Sequence, residues 1–177
     1  TELYTDFADK SFKSHSDNPW YMRSQSATKP ITSAIVEDEM SPEGVAFWFY
    51  SEGNLNYIDV SKLDVSHVTD FSSVFMQCGG YYADTDFEIV GLSNWDVSNG
   101  VNFSKMFQSA GKKSDTFRIG DLSGWDVSNG TNFYYMFCAA GLNASKYTLN
   151  ISNWDVSNAT NHEYFNDGVT DKVISPF

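Results

Sequence analysis

Apolar residues recur along this chain in two alternating patterns. The first places them at positions i, i+3, i+4 and i+7, which is typical of one face of a short amphipathic helix. It predicts a two-turn helix in each of three copies. The copies are Phe71, Val74, Phe75 and Cys78; Phe103, Met106, Phe107 and Ala110; and Phe133, Met136, Phe137 and Ala140.

Residues that favour helix ends flank each of these predicted helices. An Asp or Asn precedes each copy, and its side-chain oxygen can accept a hydrogen bond from a free backbone N–H. A glycine follows each copy, where a left-handed residue would end a helix. The preceding residues are Asp70, Asn102 and Asn132, and the following ones are Gly79, Gly111 and Gly141.

The second pattern alternates apolar and polar residues and predicts short strands. It covers residues 87–89, 117–119 and 147–151. Each copy therefore predicts a strand, a turn, a short helix and a loop. Because a two-turn helix is unstable alone in water, the copies must gain stability by stacking on one another.

A repeated tetrapeptide marks the period of these copies. Leu63-Asp64-Val65-Ser66 is followed by three copies of Trp-Asp-Val-Ser, whose aspartates are Asp96, Asp126 and Asp155, at steps of 32, 30 and 29 residues. Self-similarity at such a period is typical of stacked repeats. We therefore predict an α/β repeat solenoid of short parallel strands and two-turn helices, with terminal caps.

The repeat also predicts how the chain is organised. Residues 1–40 carry no repeat and are expected to form an N-terminal cap. The repeat array is expected to span residues 41–177: a half-repeat over 42–60, the four repeats marked by the aspartates, and a C-terminal cap over 162–177. In that last segment, His162 and Asn166 replace apolar residues of the helical pattern.

These motifs resemble the repeat of BspA-like leucine-rich-repeat surface proteins of bacteria. The resemblance lies in the run Trp125 to Asn129, in Thr131 to Phe133 and in Met136-Phe137, and it covers roughly residues 32–166. It implies a right-handed leucine-rich-repeat-like array that is extracellular, at the bacterial cell surface, and engaged in adhesion. This chain departs from the family in its longer copies, because the loops at 79–86 and 111–116 are extended.

Composition narrows the classes of partner. The 177 residues carry a formal net charge of −12, which repels phosphate backbones and makes nucleic-acid binding a poor interpretation. No run of about 20 apolar residues occurs, so we expect no membrane insertion. The two cysteines form no disulfide framework, and no catalytic or metal-binding motif is recognisable. We expect no enzyme activity, no cofactor and no metal.

Two columns of repeated residues each allow a functional and a structural interpretation. The aspartates Asp64, Asp96, Asp126 and Asp155 could bind Ca²⁺, or each could accept backbone N–H bonds within a turn. The tryptophans Trp95, Trp125 and Trp154 could stack on carbohydrate, or they could fill the core. Leu63 takes the same position in the first copy, so the position requires bulk and not an indole. This favours the core interpretation.

Differences between the copies are better candidates for a binding site. The outward positions of the helices are Ser72-Ser73, Ser104-Lys105 and Tyr134-Tyr135. Adjacent tyrosines are typical of protein-binding patches, and Tyr81-Tyr82 lie in a long loop. Glu88, Arg118 and Thr148 form a second candidate stripe on the strands, and from it we add Arg118 to the four tyrosines as a candidate binding residue. Ordinary surface residues remain the alternative for all of these.

Two functions follow from this organisation. The first is a non-catalytic surface domain that binds a host or extracellular-matrix protein, or a cell-surface glycoprotein, as an adhesin-type module. The second is a structural stalk or spacer with no ligand of its own, and a metal- or glycan-binding, enzyme-like domain ranks below both. We expect a monomer, secreted or anchored as part of a larger protein.

Overall fold

The computed structural model describes residues 31–80 and 86–177. It contains six short strands and one 3-10 helix, Leu92–Asn94, in these two ranges. The strands are β1 (Ser33–Ile35), β2 (Tyr57–Asp59), β3 (Asp86–Val90), β4 (Thr116–Arg118), β5 (Leu149–Asn150) and β6 (Val173–Ile174). The predicted strands around 87–89 and 117–119 are thus present, and only the end of the predicted strand 147–151 is strand.

The strands of successive repeats pair with one another in parallel. β1, β2, β3 and β4 form one sheet in chain order, and β5 pairs with β6 in a second sheet. In this register Ile58 lies opposite Ile89, and Phe87 lies opposite Phe117. Parallel pairing in chain order places equivalent residues of neighbouring repeats side by side. β1 lies within residues 1–40, the predicted cap, and pairs with β2.

The predicted two-turn helices are wrong. Each of the three segments consists of successive β-turns, and no α-helix occurs in 31–80 or 86–177. We call these segments, together with the equivalent ones before and after them, the turn stack. It comprises residues 45–52, 71–79, 103–111, 133–141 and 162–169.

The apolar spacing fits both conformations, which explains the error. Positions i, i+3, i+4 and i+7 share one side of an α-helix with 3.6 residues per turn. They equally share one side of a ribbon of β-turns that repeats every four residues. The ribbon differs in having left-handed residues, such as Lys105 with φ of 59° and Ser109 with φ of 56°. No α-helix contains such residues.

Hydrogen bonds between repeats hold these left-handed residues in place. The conformation costs about 1–2 kcal/mol for a residue other than glycine. Lys105 N–H donates to the carbonyl of Tyr134 and Ser109 N–H to that of Cys138, each at 2.8 Å. Since the two partners are about 30 residues apart, a single repeat cannot form these bonds.

Aromatic rings of successive repeats stack in two buried columns. One column contains Phe49, Phe75, Phe107 and Phe137, and the other contains Phe71, Phe103 and Phe133. Neighbouring ring centroids lie 5.2–5.4 Å apart, close to the spacing of about 4.8 Å between paired strands. The predicted apolar faces therefore form the core, although the helices are absent.

The three glycines expected to be left-handed are so, with φ of 64° at Gly79, 55° at Gly111 and 57° at Gly141. A side chain would also collide with the core at these sites. A Cβ atom on Gly111 would lie 2.5 Å from a ring carbon of Phe117. These glycines bring the backbone close to the aromatic rings of the strands.

The change Gly111→Ala should lower the free energy of unfolding by about 2–4 kcal/mol, the sum of left-handed strain and overpacking against Phe117. Urea unfolding of the whole chain measures this. Gly124→Ala is the matched control, because φ there is not positive and a Cβ would meet nothing within 4 Å. Equal losses in the two variants would contradict the close approach at Gly111.

Candidate binding surface

Three tyrosines form an aromatic cluster on the turn stack. The ring centroids of Tyr134 and Tyr135 lie 4.4 Å apart with the rings edge to face. Tyr164, from the next repeat, lies 4.7 Å from Tyr135 and nearly parallel to it. Tyr134 and Tyr135 are half-buried and Tyr164 is 48% exposed. We call these three residues the tyrosine cluster.

The backbone of the turn stack positions this cluster. Tyr135 and Tyr164 occupy equivalent left-handed positions, both with φ of 57°, and Lys105 occupies the same position one repeat earlier. The N–H of Tyr135 donates to the carbonyl of Glu163, which brings Tyr164 beside it. Because these residues stack repeat on repeat, their side chains lie in one line along the array.

Lys105 contributes a cation to this line. Its Nζ atom lies 5.9 Å from the ring centroid of Tyr134, within the range of a cation–π contact. Burial, followed by the nearby Tyr134 hydroxyl, raises the pKa of the Tyr135 hydroxyl. The Tyr135 hydroxyl is therefore neutral at physiological pH, and the cluster presents aromatic faces and hydroxyl groups at the surface.

Sequence reasoning found two of these tyrosines and missed the third. Tyr164 was overlooked because its repeat has polar residues in place of apolar ones and was interpreted as a cap. Alignment of residue 164 with residue 135 by the repeat period would have found it. The predicted outward pair Ser72-Ser73 is instead buried, so the outward column begins at Ser104-Lys105.

The other candidate binding residues do not join the tyrosine cluster. Arg118 is exposed on β4, where its guanidinium donates to Thr116 Oγ1 at 3.2 Å. Its cross-strand neighbour is Glu88 on β3, as the predicted stripe requires. Tyr81 and Tyr82 lie outside the described residues.

The aspartates of the tetrapeptide accept backbone hydrogen bonds. Each Oδ1 accepts the N–H of the serine two residues later, at 3.0–3.1 Å, which is an Asx turn. Hydrogen bonds from the side chain and backbone of this serine lower the pKa of each carboxyl. This lowering exceeds the opposite effect of Asp64 and Asp126 on Asp96. The geometry agrees with the turn interpretation of the column.

The tryptophans of the tetrapeptide are buried, each only 5% exposed, and offer no open face to a sugar. Each indole N–H donates to a backbone carbonyl of the preceding repeat. Trp125 Nε1 donates to Leu92 O at 2.8 Å, and Trp154 Nε1 to Leu122 O at 2.9 Å. The interpretation of this position as bulk alone was incomplete, because the indole also hydrogen-bonds neighbouring repeats together.

A shallow polar depression of about 570 Å³ lies beside β5. Its lining residues are Gly120, Asp121, Ser123, Thr148, Leu149, Asn150, Ser152 and Asn153. Several of their polar groups are already engaged. Asp121 and Asn150 each accept the N–H of a serine two residues later, and the Asn153 amide donates to the Ser123 carbonyl. The depression offers fewer free groups than its composition indicates.

Comparison with known proteins places this repeat in a family. The sequence model of the family described as "Mycoplasma protein of unknown function, DUF285" matches residues 44–173. The chain belongs to this family. The match covers the half-repeat except its first two residues, all four repeats and the tyrosine cluster. No curated protein and no solved structure gives a significant match.

This DUF285 chain also carries two cysteines. Cys78 is buried and Cys138 half-buried, and both are free thiols. In 31–80 and 86–177, no three His, Cys, Asp or Glu side chains are grouped so that they could hold a metal ion. In the same residues no helix has the length and apolar content to cross a bilayer.

Replacing all four tetrapeptide aspartates by Asn should weaken the acid dependence of stability. A lowered folded pKa stabilises the fold above the unfolded value of about 3.9, and this contribution is lost as the pH falls through the folded pKa. Asn keeps an oxygen acceptor for the turn, as Asn150 does natively, but does not titrate. Urea unfolding between pH 6 and pH 2 measures the slope. If the free energy of unfolding of the variant depended on pH as steeply as that of the parent, the lowered pKa of these aspartates would be contradicted.

Trp125→Phe should lower the free energy of unfolding by about 1 kcal/mol, because the Leu92 carbonyl loses one of its two donors and keeps only the N–H of Trp95. Urea unfolding measures the loss, and Phe103→Leu provides a control for reduced aromatic volume without loss of a hydrogen bond. A Trp125→Phe variant as stable as the parent would show that the position requires bulk alone.

Proposed function

We propose that this DUF285 chain is a non-catalytic, extracellular module of a bacterial surface protein. In this proposal it binds a host or extracellular-matrix protein, or a cell-surface glycoprotein, through the tyrosine cluster. The parallel stacking of its repeats supports a solenoid architecture. The motif around Trp125 supports the finer assignment to BspA-like, leucine-rich-repeat-like arrays with terminal caps.

The tyrosine cluster is the observation that carries this proposal. Tyrosine is enriched at the centre of protein interfaces because it offers a large contact area and a hydroxyl at a small entropic cost. Contact among Tyr134, Tyr135 and Tyr164 restricts their side chains further before any partner arrives. A rigid aromatic patch of this kind binds with less loss of side-chain freedom than isolated surface tyrosines do.

The differences between repeats also favour binding at this place. The equivalent left-handed positions are Phe47, Ser73, Lys105, Tyr135 and Tyr164, so the residue type changes along the array and tyrosine occupies the position only in the last two repeats. A repeat that served the fold alone would tolerate the same residue throughout. The change of residue type at one end of the array therefore supports a local function there.

A stalk or spacer is the alternative, and one observation favours it. Hydrogen bonds such as those from Lys105 to Tyr134 and from Tyr135 to Glu163 recur between every pair of neighbouring turn segments. Repeats joined in this uniform way resist separation along the array. An array of this kind could project another domain from the cell surface with no ligand of its own.

Binding to immobilised matrix proteins, cell-surface glycoproteins and glycans tests the proposal, with Tyr134→Ser/Tyr135→Ser as the variant. Serine suits the left-handed position, since Ser73 adopts it natively. We expect binding to a protein ligand and an affinity at least about tenfold lower in the variant, as for residues at the centre of an interface. Biosensor titration measures both.

Tyr57→Ser is the matched control, because it removes a half-buried tyrosine from β2 instead of from the turn stack. It should leave the affinity unchanged. Equal loss in both variants, or none in either, would refute the tyrosine cluster as the site. Absence of binding to every ligand would favour the stalk.

A further inference from the structure

Four chains of hydrogen bonds run through the turn stack from repeat to repeat. In each chain, a peptide group accepts a bond at its carbonyl and donates one from its N–H to the next repeat. One chain runs from Phe47 N–H to Ser72 O, from Ser73 to Ser104, from Lys105 to Tyr134 and from Tyr135 to Glu163, at 2.8–3.2 Å. The other three run in the same direction through Phe71, Phe49 and Ser51.

All four chains end at the last repeat with an unused donor. The donors are the N–H groups of His162, Tyr164, Asn166 and Gly168. In the part of the chain that the structure describes, none of them meets an acceptor, whereas the carbonyls of Asn161, Glu163, Phe165 and Asp167 are all used. We call these four groups the donor row. Its donors lie at every second residue. The carbonyls that accept the corresponding bonds in earlier repeats have the same spacing.

Apolar side chains are also exposed around the donor row. The most exposed large hydrophobic residues of the described ranges number five, and three of them lie at this end: Tyr164 at 48%, Ile174 at 47% and Phe177 at 42%. Ile174 lies on β6, which pairs with β5 and forms the edge of its sheet. The Phe177 ring packs parallel to His162 at 4.3 Å and also contacts Phe165 and Phe133 at the end of the aromatic core. This end therefore combines exposed apolar groups with unpaired backbone donors.

Charge indicates which occupant this end would bind. Aligned peptide groups place partial positive charge at a free N–H end, so the donor row attracts oxygen acceptors. The exposed side chains around it, Glu163, Asp167 and Asp171, are acidic. Lys172 is a single cation at this end, whose ammonium group donates to the carbonyls of Leu142 and Ala144, and the three acidic groups outnumber it. A matching partner presents backbone carbonyls to the row and basic side chains to its rim.

We infer that the donor row is a docking site at which a basic segment of a partner protein adds one further layer to the turn stack. The segment supplies carbonyl oxygens at alternate residues, as in other cases of backbone augmentation. The chain contains a precedent for its side chains, since Lys105 lies over the Tyr134 ring of the following repeat. This site goes beyond the proposed function, because it uses backbone donors and does not require Tyr134 or Tyr135.

A peptide with the sequence of residues 100–113 is the probe. Within the chain, this segment presents the carbonyls that accept bonds from the preceding turn segment, and it carries three lysines and no acidic residue. Amide hydrogen exchange of the whole protein, followed by NMR, measures its effect residue by residue. The control peptide replaces the three lysines by glutamates.

We expect exchange to slow at residues 162, 164, 166 and 168 together. At a peptide concentration about ten times the dissociation constant, only about one tenth of the protein molecules have no peptide bound. Exchange at these amides should therefore slow about tenfold. The glutamate peptide should have a much smaller effect. Non-specific attraction of a cationic peptide would not produce this alternate pattern, because it forms no backbone bonds.

Three results would overturn the inference. The first is unchanged exchange at the four amides with the lysine peptide. The second is equal slowing by inorganic phosphate, which would assign the row to anions. The third is slowing that depends on protein concentration without peptide, which would assign it to a second copy of the chain. The Tyr134→Ser/Tyr135→Ser variant should keep the peptide effect, so this result is separable from that of the tyrosine cluster.

Discussion

The backbone hydrogen bonds between alternate residues of neighbouring turn segments are the interaction on which the described structure depends. They allow residues such as Lys105 and Ser109 to remain left-handed, at a cost that an isolated segment would not offset. With those residues in place, each segment becomes a ribbon with one apolar side. In the segment 103–111 this side places Phe103, Met106 and Phe107 in the core. The aromatic stacking between repeats follows, since hydrogen-bonded ribbons lie at nearly the distance at which parallel rings make contact.

The same bonds place the candidate sites. The rings of Tyr135 and Tyr164 are in contact because the N–H of Tyr135 donates to the carbonyl of Glu163, the residue before Tyr164. The donor row exists because every chain of peptide groups runs in one direction and must end. One site thus arises from side chains that differ between repeats, and the other arises from the backbone that all repeats share. The two proposed sites would bind partners by two separate mechanisms.

Several local predictions were correct for a reason different from the one assigned. Asp70, Asn102 and Asn132 were expected to cap helices, and each does accept the N–H of the residue two positions later. The bond is an Asx turn, which these side chains form with or without a helix. Gly111 was expected to be left-handed at a helix end, and it is left-handed beside Phe117. In both cases the residue type reports the local backbone angles and not the element that follows.

The sequence by itself determined the repeat period, the residues that form the core, and the Asp, Asn and Gly residues that flank each copy. These depend on hydrophobicity and on the backbone preferences of single residues, which act over a few positions. Only the tertiary structure decided between helix and turn ribbon, because the deciding bonds join residues such as Lys105 and Tyr134 across repeats. It also decided that Tyr164 completes the tyrosine cluster and that the donor row remains open. Both depend on which repeat lies beside which, and no residue of a single repeat carries that information.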